Sequence, residues 1–158
     1  MRGKTVLFVC SGNTCRSPLA AALTRKMLAD GGNSLWTVKS AGLAVFAAAP
    51  ASAAAAAVAA EYGLTLFEHC SRRLTSEMLA DADLVLVMTA SHKVQVLQKS
   101  PQSAGKVHTL KEYSGRVGDV EDPFGGGLPA YRAMARELAD LTALILKKLH
   151  AEEKKSRN

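Results

Sequence analysis

Short apolar segments alternate along this sequence with segments of helical pattern, and the alternation limits the folds that the chain can adopt. Runs of β-branched and other apolar residues predict strands at 5–9, 36–40 and 84–88, with a weaker fourth at 106–110. Helical patterns are found at 18–29, 53–62, 75–82, 91–99 and 128–148. Strands that alternate with helices favour a parallel sheet covered on both faces. The sequence therefore predicts an α/β fold, in which ligands bind where a strand ends and a helix begins.

The chain length of 158 residues suits one domain, and hydrophobic residues make up 48% of it, which is enough for a substantial core. The alanine-rich stretch 41–60 is interpreted as a small-residue helix packed closely on the sheet, with disorder as the alternative. No repeat or linker divides the sequence. We predict one domain over residues 1–150 and a basic C-terminal tail over residues 151–158, a solvated helix end.

Charge and cysteine content narrow the range of partners. The net charge of +6 suits a phosphorylated or acidic partner as well as nucleic acid, but aromatic residues make up only 5% and are not interleaved with basic ones. We therefore predict no nucleic-acid binding.

Cys10, Cys15 and Cys70 form no disulfide framework or metal motif, which favours a reducing compartment. Without a signal-peptide pattern or a run of about 18 apolar residues, the predicted location is the cytoplasm, away from membranes.

The first predicted strand leads directly into the segment CSGNTCRSP, in which five residues separate Cys10 from Arg16. A loop of this length can curl so that successive backbone N–H groups point to one centre, and Gly12 and Asn13 can adopt positive φ there. The following proline suits the first turn of a helix, whose N-terminus adds positive potential. Arg16 offers a bidentate fork to phosphate oxygens. The segment is therefore predicted to hold a tetrahedral phosphate.

Cys10 lies at the centre of this predicted anion site. The donors that hold phosphate also stabilise a thiolate, which makes Cys10 a nucleophile for in-line attack on phosphorus. Ser17 can donate a hydrogen bond to the sulfur and ease its departure when a phosphocysteine breaks down. The alternative, a buried strand-end thiol with a surface arginine, does not explain the strand before the loop and the helix after it. A nucleotide-binding loop fits less well, because it needs Gly-x4-Gly-Lys-Ser/Thr.

Displacement at phosphorus also needs a proton donor for the leaving group. Three carboxylates lie in the glycine-rich segment 118–127, and we choose Asp122 as the acid because Pro123 fixes the backbone after it. Phe124 supplies an aromatic wall, and the glycines let the segment approach a pocket. The alternative role of Asp122 is to cap the last helix.

These residues resemble the low-molecular-weight protein tyrosine phosphatases. The resemblance rests on VCSGNTCRSP at 9–18 and DPF at 122–124, with further similarity at 40–42, 69–75 and 82–89, so it covers nearly the whole chain. It implies a single-domain, Rossmann-like sheet of four parallel strands flanked by helices on both faces. It also implies catalysis without a metal or other cofactor, by a chain that we expect to act as a monomer.

The resemblance also implies a role for each residue of the site. Cys10 is the nucleophile, Arg16 binds phosphate, and Asp122 is the general acid and then the base for the attacking water. Residues expected to contact the substrate or shape its loop are Ser11, Gly12, Asn13, Thr14, Cys15, Ser17 and Phe124. The implied partners are phosphorylated proteins as substrates and inorganic phosphate as the product.

Within the family the chain looks most like the bacterial protein-arginine phosphatases. Thr14 stands where tyrosine-directed members usually carry an aliphatic residue, and Phe124 is followed by glycines instead of tyrosines. Phosphoarginine carries a planar cation, which Asp122 can face and Phe124 can stack on, while the Thr14 hydroxyl supplies a polar contact near phosphorus. Phosphotyrosine remains the alternative substrate, because threonine can also be a neutral replacement.

The cysteines allow two further hypotheses, a redox pair and an arsenate reductase. In the family, a neighbour such as Cys15 can shield the nucleophile by reversible oxidation, so Cys10 and Cys15 are a candidate redox pair, the alternative for Cys15 being a buried loop thiol. A thiol-based arsenate reductase is a second function for the same scaffold, but only Cys70 lies outside the loop as a resolving thiol. The spacing of His69, His92 and His108 predicts hydrogen-bonded structural groups and no metal site.

Overall fold

Four parallel strands form the centre of the structure, a computed structural model that describes residues 2–157. The strands are β1 (Lys4–Cys10), β2 (Trp36–Gly42), β3 (Leu84–Val87) and β4 (Val107–Thr109). They lie in the order β2-β1-β3-β4, and all neighbouring pairs are parallel. The predicted α/β fold with a four-stranded parallel sheet is confirmed, with small shifts at the strand ends.

In the described part of the chain, residues 2–157, six helices surround the sheet. They are α1 (Arg16–Asp30), α2 (Ala53–Glu61), α3 (Ser76–Asp81), α4 (Ala90–Lys99), α5 (Leu110–Tyr113) and α6 (Leu128–Arg157), and a 3₁₀ turn spans Pro101–Lys106. The five predicted helices are present, whereas α5 and the 3₁₀ turn are not in the prediction. Helix α6 continues beyond its predicted end through residues 149–157. Within residues 2–157, every helix is too short or too polar to cross a lipid bilayer.

The side chains of β1 alternate between two cores. Val6, Phe8 and Cys10 pack on the side of α1 and α6, whereas Leu7 and Val9 pack on the other side with α3 and α4. Because side chains alternate along a strand, this pattern covers both faces of the sheet. The carboxyl end of β1 lies where the chain connections diverge to opposite sides of the sheet, which is the usual ligand position in such folds.

The alanine-rich stretch is ordered, but only its second half is helical. Helix α2 begins after Ser52, whose Oγ accepts from the Ala55 N–H at 3.2 Å, and it is followed by Gly63 at a φ of 72°. It packs mainly against α6 and, to a lesser extent, α1. The prediction that this helix packs directly on the sheet is therefore wrong. It packs on α6 and α1 because these two helices already cover that face of the sheet.

Candidate active site

The chain leaves β1 at Cys10, curls through residues 11–15 and enters α1 at Arg16. Within residues 2–157, Asn13 is the one non-glycine residue with positive φ, at 54°. Gly42 lies opposite Cys10 in the sheet, and a Cβ on it would approach the Ser11 carbonyl oxygen to 2.6 Å. The absence of a side chain at Gly42 thus lets the loop pack directly on the end of β2.

The Asn13 side chain is fully buried and holds this curl in place. Its Nδ2 donates to Ser17 Oγ at 2.7 Å and to Ser40 Oγ at 3.0 Å. Its Oδ1 accepts from the Arg72 backbone N–H at 3.0 Å, and its backbone oxygen lies 2.7 Å from His69 Nε2, which must donate because a carbonyl only accepts. Asn13 is therefore fixed by α1, by β2 and by the segment before α3.

Cys10 is buried beneath the loop, with its Sγ 2.9 Å from Ser17 Oγ. Because Ser17 Oγ accepts from Asn13 Nδ2, its own proton is free to be donated. The other acceptor in range, the Ala41 carbonyl oxygen, is 3.5 Å away, so the sulfur is the better-placed partner. Ser17 is therefore oriented to donate to an anionic sulfur.

Arg16 and Asp122 meet at the edge of the loop. The buried Arg16 guanidinium donates through Nη1 to the Val120 carbonyl oxygen at 2.9 Å, and its Nη2 lies 3.7 Å from Asp122 Oδ2. Asp122 Oδ1 accepts from the Phe124 N–H at 3.0 Å, which fixes the carboxylate within its own turn. The Asp122 side chain is half-exposed, so the ion pair itself is weak. The structure thus brings the predicted acid beside the predicted phosphate-binding arginine.

A cavity of about 250 Å³ opens over the loop. It is lined by Cys10, Gly12, Asn13, Thr14, Cys15, Arg16, Ser52, Asp122, Phe124 and Tyr131. The sequence predicts all of these except Ser52 and Tyr131. Ser52 also donates its backbone N–H to the Thr14 carbonyl oxygen at 2.9 Å, so the start of α2 holds the loop. The predicted contact residues Ser11 and Ser17 lie outside this lining.

Cys15 lines the same cavity as Cys10, and both are free thiols. Burial raises the pKa of Cys15 to about 12, and the negative charges of Cys10 and Asp122 act in the same direction, against the positive charge of Arg16. Cys15 therefore stays a neutral thiol at physiological pH, so it does not compete with Cys10 as the nucleophile.

Ser11 points away from the cavity and contacts α4. Its Oγ lies 2.9 Å from Nε2 of His92, a buried side chain whose Nδ1 has no partner among residues 2–157. Burial lowers the pKa of His92 to about 4, the charge of Arg16 acts in the same direction, and Asp119 and Asp122 oppose it. If the neutral His92 ring carries its proton on Nε2, that nitrogen donates to Ser11 Oγ, and the unpaired Nδ1 is only an acceptor. His69 and His92 thus match the predicted role of hydrogen-bonded structural groups.

His92 is expected to make the stability of the protein depend on pH. Its pKa of about 4 in the folded chain is below the ordinary 6.5, so the unfolded chain binds the proton first as the pH falls. The free energy of unfolding should fall by about 1–3 kcal/mol between pH 6.5 and pH 4 through this group. Urea unfolding of the wild type and of His92→Gln across that range measures the effect. Equal pH slopes in the two proteins would contradict it.

Replacing Asn13 with alanine is expected to lower the free energy of unfolding by about 2–4 kcal/mol, since buried partners lose their bonds and alanine is strained at this φ. Asn13→Gly is the matched control, because glycine accepts the φ but makes none of the bonds. It should recover about 1 kcal/mol of the loss in denaturant unfolding. A wild-type unfolding curve for Asn13→Ala would show that these bonds do not hold the loop.

Comparison with known proteins identifies the family of this chain. Residues 5–155 match the family described as low molecular weight phosphotyrosine protein phosphatase. The chain is 41% identical to a protein-arginine-phosphatase of Geobacillus stearothermophilus, over 94% of this chain and 97% of the relative. It is 37% identical to the low molecular weight protein-tyrosine-phosphatase PtpB of Staphylococcus haemolyticus, over 84% and 91%.

A solved structure shows the same fold. The arginine phosphatase YwlE, in a mutant with a phosphorylated active-site serine, superposes with a TM-score of 0.86 at 39% identity, covering 92% of this chain and 95% of that one. The family match and the shared fold agree with each other. The chain belongs to the low molecular weight phosphotyrosine protein phosphatase family.

Proposed function

We propose that this protein hydrolyses phosphoarginine in proteins through a phosphocysteine intermediate, without a metal or other cofactor. The observation that carries the proposal is the placement of the Cys10 sulfur, 2.9 Å from Ser17 Oγ in a cavity that Arg16 and Asp122 also line. The similarity to a named protein-arginine-phosphatase of nearly equal length supports the choice of substrate.

In the first step, the loop N–H groups and Arg16 hold the phosphoryl oxygens while the Cys10 sulfur attacks phosphorus. The S–P bond forms as the P–N bond of phosphoarginine breaks. The leaving guanidine nitrogen takes a proton from Asp122, which lies beside Arg16 at the cavity edge. The protein then carries phosphocysteine and an ionised Asp122.

In the second step, water attacks the phosphocysteine. Asp122 accepts a proton from the water as the new O–P bond forms, and the S–P bond breaks. The Ser17 hydroxyl donates to the departing sulfur, for which its hydrogen bond from Asn13 orients it. Inorganic phosphate leaves, and the cysteine and the acid return to their starting forms.

The lining of the cavity favours a guanidinium as the leaving group. Thr14 places a hydroxyl in the wall, and the largely exposed Phe124 ring offers a face for a planar cation. The Asp122 carboxyl group belongs to the same lining, where it can give its proton to the leaving nitrogen. Phosphotyrosine is the second candidate, because PtpB of Staphylococcus haemolyticus, to which the chain is also similar, is named as a tyrosine phosphatase.

The test is a comparison of kcat/KM on peptides that differ only in phosphoarginine or phosphotyrosine. A higher value for phosphoarginine supports the proposal, and a higher value for phosphotyrosine replaces it with the second candidate. Arsenate reduction coupled to thioredoxin should be absent, because it needs resolving thiols and only the exposed Cys70 lies outside the loop.

Replacing Thr14 with isoleucine is expected to shift the ratio of kcat/KM values toward phosphotyrosine by about tenfold. An aliphatic wall suits a phenyl ring, and it leaves the polar leaving group without the hydroxyl contact. The control is Thr37→Ile, which makes the same change at an exposed position of β2 outside this cavity. An unchanged ratio in Thr14→Ile would remove Thr14 from the choice of substrate.

We also propose that Cys10 and Cys15 form a reversible disulfide. A peroxide would oxidise the Cys10 thiolate to sulfenic acid, and the Cys15 sulfur would then displace water from it. Loss of the negative charge on Cys10 removes one cause of the raised pKa of Cys15 and so favours this attack.

The three free cysteines suit a reducing compartment, so we place the protein in the cytoplasm. We propose that it acts there as a monomer on phosphorylated proteins.

A further inference from the structure

A second and larger cavity, of about 530 Å³, lies beside α1 and β2. Its walls include three cationic side chains: Arg25 of α1, Lys39 of β2 and Arg72 of the segment before α3. Among the described residues, Glu68 is the one carboxylate in the lining. The volume lies within the range of small-molecule sites, and the charge of the walls is positive.

Within residues 2–157, none of these three cations forms an ion pair with a carboxylate. Arg25 is held in place because its Nε and Nη2 donate to the Val38 carbonyl oxygen at 3.3 and 2.8 Å, which leaves further N–H donors for another partner. Desolvation and then the charge of Arg72 lower the pKa of Arg25, so like charges face each other here.

A third cavity, of about 440 Å³, provides a comparison within the same molecule. It also has cationic walls, but Glu137 and Asp140 line it too, and Lys111 Nζ lies 3.0 Å from Glu137 Oε2. Part of the positive charge is therefore neutralised inside that cavity. The cavity beside α1 lacks such pairing, and an external anion would supply it.

One wall of the cavity beside α1 consists of the groups that hold Asn13. Ser40, His69 and Arg72 line it, and each of them bonds to Asn13. The buried Ser40 Oγ accepts from Asn13 Nδ2, and its own proton has no acceptor among residues 2–157, so it can be donated to an oxygen in the cavity. A ligand here would contact residues that fix the catalytic loop.

We propose that this cavity is an effector site for a small phosphate-bearing anion. Phosphate oxygens bind Arg25, Lys39 and Arg72 and accept from the Ser40 hydroxyl. The occupied site acts on the catalytic loop through the bonds of Ser40, His69 and Arg72 to Asn13. The site is separate from the cavity that contains Cys10, and it does not depend on which phosphorylated residue the enzyme prefers.

Binding is tested by titrating the wild-type protein with pyrophosphate and following backbone amide signals by NMR. Two groups of signals should respond with different affinities: residues 12–15 at the catalytic loop, and residues 38–40 with 66–72 at the second site. Lys39→Gln and Arg72→Gln should each weaken the second response about tenfold. Arg136→Gln, a cation in the third cavity, is the matched control and should leave both responses unchanged.

Three results would overturn the binding proposal: a response at the catalytic loop alone, a second response that Lys39→Gln and Arg72→Gln leave unchanged, or equal binding of citrate, which would remove the preference for phosphate. The effect on catalysis is tested by inhibition kinetics. Pyrophosphate should lower kcat as well as raise KM in the wild type, and only raise KM in Lys39→Gln. Purely competitive inhibition of the wild type would overturn the effector role.

Discussion

Replacing Cys10 with serine is expected to lower kcat on a phosphoarginine peptide by about 10⁴-fold or more. A serine hydroxyl is far harder to ionise than a thiol, so the attacking anion is lost. In the proposed mechanism the loop N–H groups and Arg16 hold the phosphate, and both remain in this variant. Phosphate should therefore still bind with an affinity within a few fold of the wild type, measured by calorimetry.

Cys70→Ser is the matched control for this change. Cys70 is an exposed free thiol outside the catalytic cavity, so the same replacement there should leave kcat unchanged. Near-wild-type turnover by Cys10→Ser would exclude the phosphocysteine mechanism. If phosphate binding and turnover were lost together, the sulfur would be holding the loop in shape rather than acting only as the nucleophile.

The catalytic loop could be predicted from the sequence because its parts are contiguous. The strand, the glycine, the arginine and the proline all lie within residues 5–18, so one short stretch of sequence shows the loop together with the elements on either side of it. Asp122 lies far away in the sequence, and its predicted role as the acid rests on the need for a proton donor, on the Gly-rich segment around it and on the family resemblance at 122–124.

The support of the loop could not be predicted in this way. Asn13 is held by Ser40 and by the backbone N–H of Arg72, and any residue except proline carries such an N–H. The place of Ser40 depends on the register of β2 beside β1. Tyr131 reaches the cavity only because α6 packs across α1, and no local pattern in its first turn marks it.

The end of helix α6 and the short helix α5 also could not be predicted from local sequence patterns. The apolar run of α6 weakens near residue 148, but the helix continues to Arg157, and Glu152 Oε2 accepts from Lys4 Nζ at 2.8 Å. That contact joins the two ends of the chain, so nothing near residue 148 signals it. Helix α5 is only four residues long, too short for a periodic pattern, and is held by the capping box between Thr109 and Glu112.

Replacing Asp122 with asparagine is expected to lower kcat/KM on the phosphoarginine peptide by about 10²–10³-fold. Asparagine cannot give a proton to the leaving nitrogen. With p-nitrophenyl phosphate, whose leaving group departs as a stable anion, formation of phosphocysteine should be nearly normal. The second step still lacks its base, so this substrate should show a rapid burst of about one nitrophenol per enzyme followed by slow turnover.

The charge of Asp122 allows a second, independent measurement on the same variant, the affinity for phosphate. Its Oδ2 lies 3.7 Å from Arg16 Nη2, where it repels a phosphate dianion. Asp122→Asn should therefore bind phosphate more tightly, by a few fold, while its kcat falls, which a misfolded loop would not do. Glu121→Gln, an exposed neighbour that does not line the cavity, is the control and should change neither quantity. The contradicting result is that Asp122→Asn slows phosphocysteine formation equally on both substrates. That result would show that the proton comes from another group and that the Asp122 carboxylate serves only to position the Arg16 guanidinium.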